Sequence, residues 1–160
     1  MDVLWAPWRI DYILGPKADS CVFCLSAEQD ADEKTLVLYR GAHSFVIMNR
    51  FPYMSGHCMV APIRHVQCLT ELNSAERHEI MDLTTECIRI LKDEFKPDGI
   101  NAGLNLGEAA GAGIGEHLHF HQVPRWVGDV SFMAAIGSAT VIPEHLKRVY
   151  ARLRPYFQRL

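Results

Sequence analysis

The densest chemistry in the chain is the run Gly115-Glu116-His117-Leu118-His119-Phe120-His121-Gln122-Val123-Pro124-Arg125-Trp126. The chain holds 8 histidines among 160 residues, and three of them alternate with Leu118 and Phe120 here. Side chains two apart share one face of an extended segment. A strand over Leu118 to Val123 therefore points His117, His119 and His121 one way and sends Leu118 and Phe120 to the core. Two chemistries suit such a row. Histidines at alternate strand positions hold a catalytic metal with one position open for water. Alternatively one imidazole is a nucleophile, and its neighbours orient it and bind the leaving group. An imidazole with an ordinary pKa of about 6.5 is mostly neutral at neutral pH, so its lone pair can attack phosphorus. Just upstream, Leu104 to Gly115 is built largely of glycine and alanine. So bare a loop lets backbone N–H groups converge on phosphate oxygens, which favours phosphorus chemistry over a bare metal site.

A second cluster is Cys21-Val22-Phe23-Cys24. Its spacing suits metal ligands, and equally a pair of buried thiols or a redox couple. Cys58, Cys68 and Cys87 lie in strand or helix patterns and read as core residues. The cysteine count of 5 is odd, and the opening MDVLWAPWRIDYILG lacks the basic and apolar regions of a secretory signal. Both features predict a reducing, cytoplasmic setting rather than a disulfide framework. No apolar run nears the ~18 residues of a membrane span, so no membrane partner is expected. A net charge of −3 offers no footprint for polymeric nucleic acid, but leaves room for a small anionic ligand.

These groups need a frame to hold them, and 49% hydrophobic content is enough for one. Thr35 to Arg40 and Ser44 to Met48 read as a hairpin about Gly41-Ala42-His43. His57 to Ala61 is a further strand stopped by Pro62. Asn73 and Glu76 form a capping box for a helix running to about Phe95, with Ile80, Leu83, Cys87, Ile90 and Leu91 on its buried face. Ile100 to Leu106 and Leu118 to Val123 are two more strands. Pro143 starts a last helix over 143–158 with Leu146, Val149, Tyr150 and Leu153 along one stripe. Short links between successive strands favour antiparallel pairing, hence one α+β domain over 1–160. His43, His78 and His145 fall in a turn, on a helix surface and at a helix start, and are expected to be solvated. Glu108 and Glu116 would repel a polyphosphate and are expected to turn outward. Trp5 and Trp8 read as an interface or core pair.

The run His117-Leu118-His119-Phe120-His121-Gln122-Val123 resembles the signature of the histidine triad family, with Gln122 a polar departure at an apolar-type position. Asn49-Arg50-Phe51-Pro52, Gly56-His57, Pro62-Ile63-Arg64-His65, Asn105-Leu106-Gly107 and Pro124-Arg125-Trp126 follow in family order. Leu4-Trp5-Ala6-Pro7-Trp8-Arg9, Gly128-Asp129 and Val141-Ile142-Pro143-Glu144 resemble the bacterial branch that contains diadenosine tetraphosphate phosphorylase.

The resemblance implies an antiparallel sheet of about five strands with two main helices, in a homodimer that cleaves dinucleoside polyphosphates or related nucleotide conjugates. It makes His119 the nucleophile, with a backbone carbonyl keeping its other nitrogen protonated. His121 would contact the α-phosphate and His57 complete the polar shell. Asn49 falls where the family binds ribose, and Asn105 falls on the phosphate side. Ala112 and Gly113 stand where many relatives carry Gln or Ser, so backbone amides are expected there, with Trp126 beside the phosphate. Family members with the cysteine pair bind structural zinc through it and two histidines. Here that set is Cys21, Cys24, His65 and His117, pinning the 1–34 extension to the sheet, and no organic cofactor is implied. A nucleotide-binding sensor with little turnover is the alternative.

Overall fold

The apolar runs pair much as their alternation predicts. Five strands form in chain order: β1 (Val37–Arg40), β2 (Ser44–Met48), β3 (Cys58–Pro62), β4 (Gly99–Gly103) and β5 (Phe120–Arg125). They make one antiparallel sheet in the order β1-β2-β3-β5-β4. Two helices complete it, α1 (Ser74–Phe95) and α2 (Leu146–Phe157). This computed structural model describes residues 21–24, 33–129, 142 and 144–160. Trp5, Trp8, Val141 and Pro143 lie outside the described residues.

The capping box at the start of α1 is present in both directions. Asn73 Oδ1 accepts from the Glu76 amide at 3.0 Å, and Glu76 Oε2 accepts from the Asn73 amide at 2.8 Å. That pairing satisfies two of the amides a helix start otherwise leaves unbonded. Arg64 grips the same carboxylate with two N–H groups, each at 2.9 Å. This holds the Glu76 carboxyl down at about 2, with Arg64 the principal cause. Ile80, Leu83, Cys87, Ile90 and Leu91 are buried as their spacing predicts, and α1 lies over β2, β3 and β5. Helix α2 packs on β1 and against α1 through Val149, Tyr150, Leu153 and Phe157.

Strand boundaries differ from expectation for identifiable reasons. β1 begins at Val37 because Leu36 takes a left-handed φ of 61°, incompatible with a strand. β3 includes Pro62, which pairs with Ser44 at the end of the ladder. β4 stops at Gly103, the partner of His121, rather than running to Leu106. The last strand shifts toward the C-terminus, covering 120–125 instead of 118–123. The Leu118 amide bonds the Val66 carbonyl at 2.7 Å, so the segment before Phe120 lies outside the β3 ladder. Pro124 lies past Gln122, the last β5 residue paired with β3, so it has a ladder neighbour on one side alone, Ile100 of β4. Gln122 is fully buried on the helix side, where its Nε2 donates to Thr84 Oγ1 at 3.5 Å. The polar departure in the triad is thus a core residue. Cys58 and Cys87 are buried as expected, but Cys68 is a correction: it is half-buried and caps the short 3-10 turn Leu69–Glu71.

Candidate functional site

A chain of imidazoles begins just before β3. The loop from Asn49 to Gly56 delivers His57, which is 0% exposed. Gly56 has a φ of 83°, and a Cβ there would lie 3.3 Å from both Phe95 and Pro124. Glycine is needed at that turn. The Tyr53 amide points at His57 Nδ1 at 3.1 Å, and Asn49 Nδ2 lies 3.4 Å from the same atom. A backbone N–H can only donate, so His57 Nδ1 is the acceptor and its proton sits on Nε2. That Nε2–H donates to His121 Nδ1 at 2.8 Å. The neutral His121 ring therefore carries its own proton on Nε2. Burial pushes His57 down to about 3 and His121 down to about 4, helped by the neighbouring rings. Both are neutral at physiological pH.

His119 is fixed by different means. Its Nδ1 donates to the His117 carbonyl at 2.8 Å, because a carbonyl can only accept. The Nε2 lone pair is left in the plane of the ring. Burial lowers the pKa, and the bond to the His117 carbonyl partly opposes that shift. The His121 ring stands edge-on at 4.8 Å and 74°, and Phe23 stacks on the face at 4.8 Å and 30°. The residue is 6% exposed.

A cavity of about 490 Å³ opens beside this row, bordered by His121, Tyr53, Asn101, Asn105, Val123 and Arg125. His121 and Asn105 share its wall. His119 lies one ring behind the wall, and His57 behind His121. Asn49 is turned inward, with Oδ1 accepting from the Phe51 amide at 2.9 Å. Ala112 and Gly113 lie in the loop before the triad and outside the cavity wall, and the Ala112 amide bonds the Gly107 carbonyl at 3.3 Å. Trp126 is half-buried beyond β5, its amide bonded to Asp129, and does not line the cavity either. Glu116, His43, His78 and His145 are exposed. The side chain of Glu108 lies outside what the structure describes.

The first triad histidine belongs to another cluster. His117 Nε2 donates to the Pro62 carbonyl at 2.9 Å, which leaves the Nδ1 lone pair facing Cys21 Sγ at 3.4 Å and Cys24 Sγ at 3.7 Å. His65 Nδ1 lies 3.1 Å from Cys24 Sγ. One donor atom from each of Cys21, Cys24, His65 and His117 falls within 4.8 Å of the rest. Two thiols with two imidazoles in this arrangement fit a closed tetrahedral ion, and the Pro62 carbonyl behind the deeper imidazole orients it. An ion held by all four of these donors would have no position left for water. His119 and His121 are not part of it.

Sequence reasoning missed two residues. Tyr53, 51% exposed, stacks on His57 at 4.7 Å and supplies the amide that sets its tautomer. Phe23 covers His119 from inside the cysteine pair. The only available signal was position: Tyr53 within the loop ahead of His57, and Phe23 between two ligand-spaced cysteines.

Comparison with known proteins gives a consistent result. The model of the HIT domain family matches residues 30–127. The AP-4-A phosphorylase of Mycobacterium tuberculosis is 41% identical over 152 residues, covering 90% of this chain and 78% of that protein. The bis(5'-adenosyl)-triphosphatase of Saccharomyces cerevisiae is 30% identical over 101 residues, 60% of this chain and 48% of that protein. Among solved structures, a Zn-bound histidine triad family protein from Mycobacterium smegmatis matches with a TM-score of 0.68 at 26% identity, covering 88% and 94% of the two chains.

Proposed function

We propose, on the premise that this chain belongs to the HIT domain family, that it cleaves dinucleoside polyphosphates of the diadenosine tetraphosphate kind at the α-phosphate through a nucleotidyl-histidine on His119. One observation carries this reading: the His117 carbonyl holds the proton on His119 Nδ1 and leaves Nε2 as a neutral nucleophile. In the first step the Nε2 lone pair forms a bond to the α-phosphorus. The bridging P–O bond breaks and its electron pair leaves with the departing polyphosphate. In the second step an oxygen of water or inorganic phosphate attacks phosphorus, the P–N bond breaks, and the pair returns to Nε2. Splitting one displacement into two is the benefit of a covalent nucleophile. His121 Nε2–H and Asn105, which both border the cavity, would hydrogen-bond phosphate oxygens in this reading, and fixed donors stabilise charge as it develops. His57 holds His121 in the donating tautomer.

The test mixes the protein with diadenosine tetraphosphate, with and without inorganic phosphate. Attack at the α-phosphate predicts AMP and ATP with water as acceptor, and ADP and ATP with phosphate. His119→Asn should abolish both while leaving the circular dichroism spectrum unchanged. A nucleotide-binding sensor is the competing reading, favoured by the 6% exposure of His119. AMP bound tightly with no products in either mixture would establish it.

The same reading assigns zinc to Cys21, Cys24, His65 and His117, in a structural role that ties the cysteine-bearing 1–34 extension to the sheet of a single domain. The donor set supports it, and cysteines used as metal ligands suit the reducing, cytoplasmic compartment that is part of the proposal. A homodimer is part of the proposal, supported by β4, an edge strand that is mostly exposed along its length.

A further inference from the structure

We propose that Phe23 is a positioning residue for His119, and that the metal-binding turn is what holds Phe23 in place. The proposal rests on the reading of His119 as the nucleophile. Phe23 is 3% exposed and packs into the core, although Cys21 to Cys24 form no part of the sheet. The turn is closed by the Cys24 amide on the Cys21 carbonyl at 3.0 Å. Beyond that bond, the two thiols flanking Phe23 face His65 and His117, residues carried by two adjoining segments, one just after β3 and one just before β5. An ion shared by these four side chains would fix the turn, and with it the aromatic ring between the cysteines.

That ring meets both histidines at once, lying 5.4 Å from His117 and 4.8 Å from His119. A single hydrogen bond to the His117 carbonyl sets the His119 tautomer but tolerates tens of degrees of tilt. Phe23, tilted 30° from the His119 plane, and His121, at 74° to it, both lie 4.8 Å from the ring and restrict that tilt. The Nε2 lone pair lies in the ring plane, so a neighbour stacked on the face aligns it without blocking it. His117 joins the two systems: its imidazole faces the thiols while its carbonyl accepts from His119. In-line attack depends on alignment, and misplacement by about 1 Å costs on the order of 10²-fold.

The experiment uses the zinc-loaded full chain, Phe23→Ala and Phe23→Leu, each checked for zinc content. The ring 13Cε1–1Hε1 signal of His119, assigned by its loss in His119→Asn, is recorded before and after zinc extraction. Turnover of diadenosine tetraphosphate is measured in parallel. In Phe23→Ala the His119 signal should shift and broaden while those of His57 and His121 stay in place. In the same variant kcat should fall about 10- to 100-fold with KM within about threefold, and Phe23→Leu should recover most of it. Zinc extraction should move the His119 signal in the native protein but add little in Phe23→Ala. An unchanged His119 signal in Phe23→Ala, or an equal response to zinc extraction in both proteins, overturns the proposal. Should Phe23→Ala unfold, Phe23→Leu decides: a His119 signal identical to native overturns it, and a partial shift supports it. A native protein that turns over nothing rejects the nucleophile reading, whereas the ring signals still decide the positioning claim.

Discussion

Acidification should destabilise this protein through His57 and His121 well before its carboxylates matter. Burial holds the two folded-state values at about 3 and about 4, against 6.5 for a free imidazole. The sign follows from linkage. An unfolded chain takes up a proton on each ring as pH drops below 6.5, whereas the folded chain refuses both until far lower pH. The stabilisation is therefore complete above the unfolded value and is lost as pH falls toward the folded values. Each ring contributes a slope of about 1.4 kcal/mol per pH unit, so from about pH 8 to about pH 5 each costs roughly 2 kcal/mol. The pair together costs roughly 4 kcal/mol, a large share of the ~5–15 kcal/mol that holds a domain folded. Urea unfolding at stepped pH measures this, with native protein and His57→Gln compared. Glutamine can still accept from the Tyr53 amide but does not titrate. Its own baseline stability will be lower, yet its loss over the interval should be smaller than that of the native protein by roughly 2 kcal/mol. Contributions from all other groups cancel in the difference. Equal losses in the two proteins would refute the claim that burial keeps this ring neutral.

Glu76→Ala removes a helix cap and the Arg64 ion pair together, and should lower stability by about 1–2 kcal/mol in thermal unfolding. Because its carboxyl is held at about 2 against an ordinary 4.5, that contribution is present above pH 4.5 and disappears as pH falls toward 2. Gly56→Ala forces a side chain into a left-handed turn already bordered by Phe95 and Pro124. It should cost more than about 1 kcal/mol and shift the ring signals of His57, readable by NMR. Gln122→Met should be neutral or raise the melting temperature, since Gln122 Oε1 is buried with no partner among the described residues.

The sequence disclosed most where one physical period governed a whole element. The face of α1 and its Asn73–Glu76 cap were readable because apolar spacing and capping chemistry agree along 22 residues. Strand ends were less legible, since a ladder stops where its partner stops: Gly103 ends β4 because His121 is the last paired residue across from it. Leu118 looked like strand until the loop carbonyl of Val66 claimed its amide. The histidine spacing identified the row, but its division, with His117 facing sulfur and His121 facing a cavity, was foreshadowed by the family resemblance and not by the spacing. That division depends on which way each ring turns, and ring rotation is set by the carbonyls of Pro62 and His117. Neither carbonyl carries any signature in the residue type that supplies it. Tyr53 acts through its amide, which every residue except proline possesses, so no side-chain pattern could have announced it.

The polarity of the imidazole pair has a consequence for recharging the enzyme between turnovers. Its inner end is a peptide amide, which cannot give up its hydrogen to a ring at working pH, so the relay is a cul-de-sac. Any proton that leaves from the outer nitrogen of His121 must be replenished through the mouth facing solvent. Were His121 to give that proton to a departing group, a water molecule or a protonated acceptor would have to be readmitted there before the next round, and a product lingering in that mouth would delay it without touching the nucleophile.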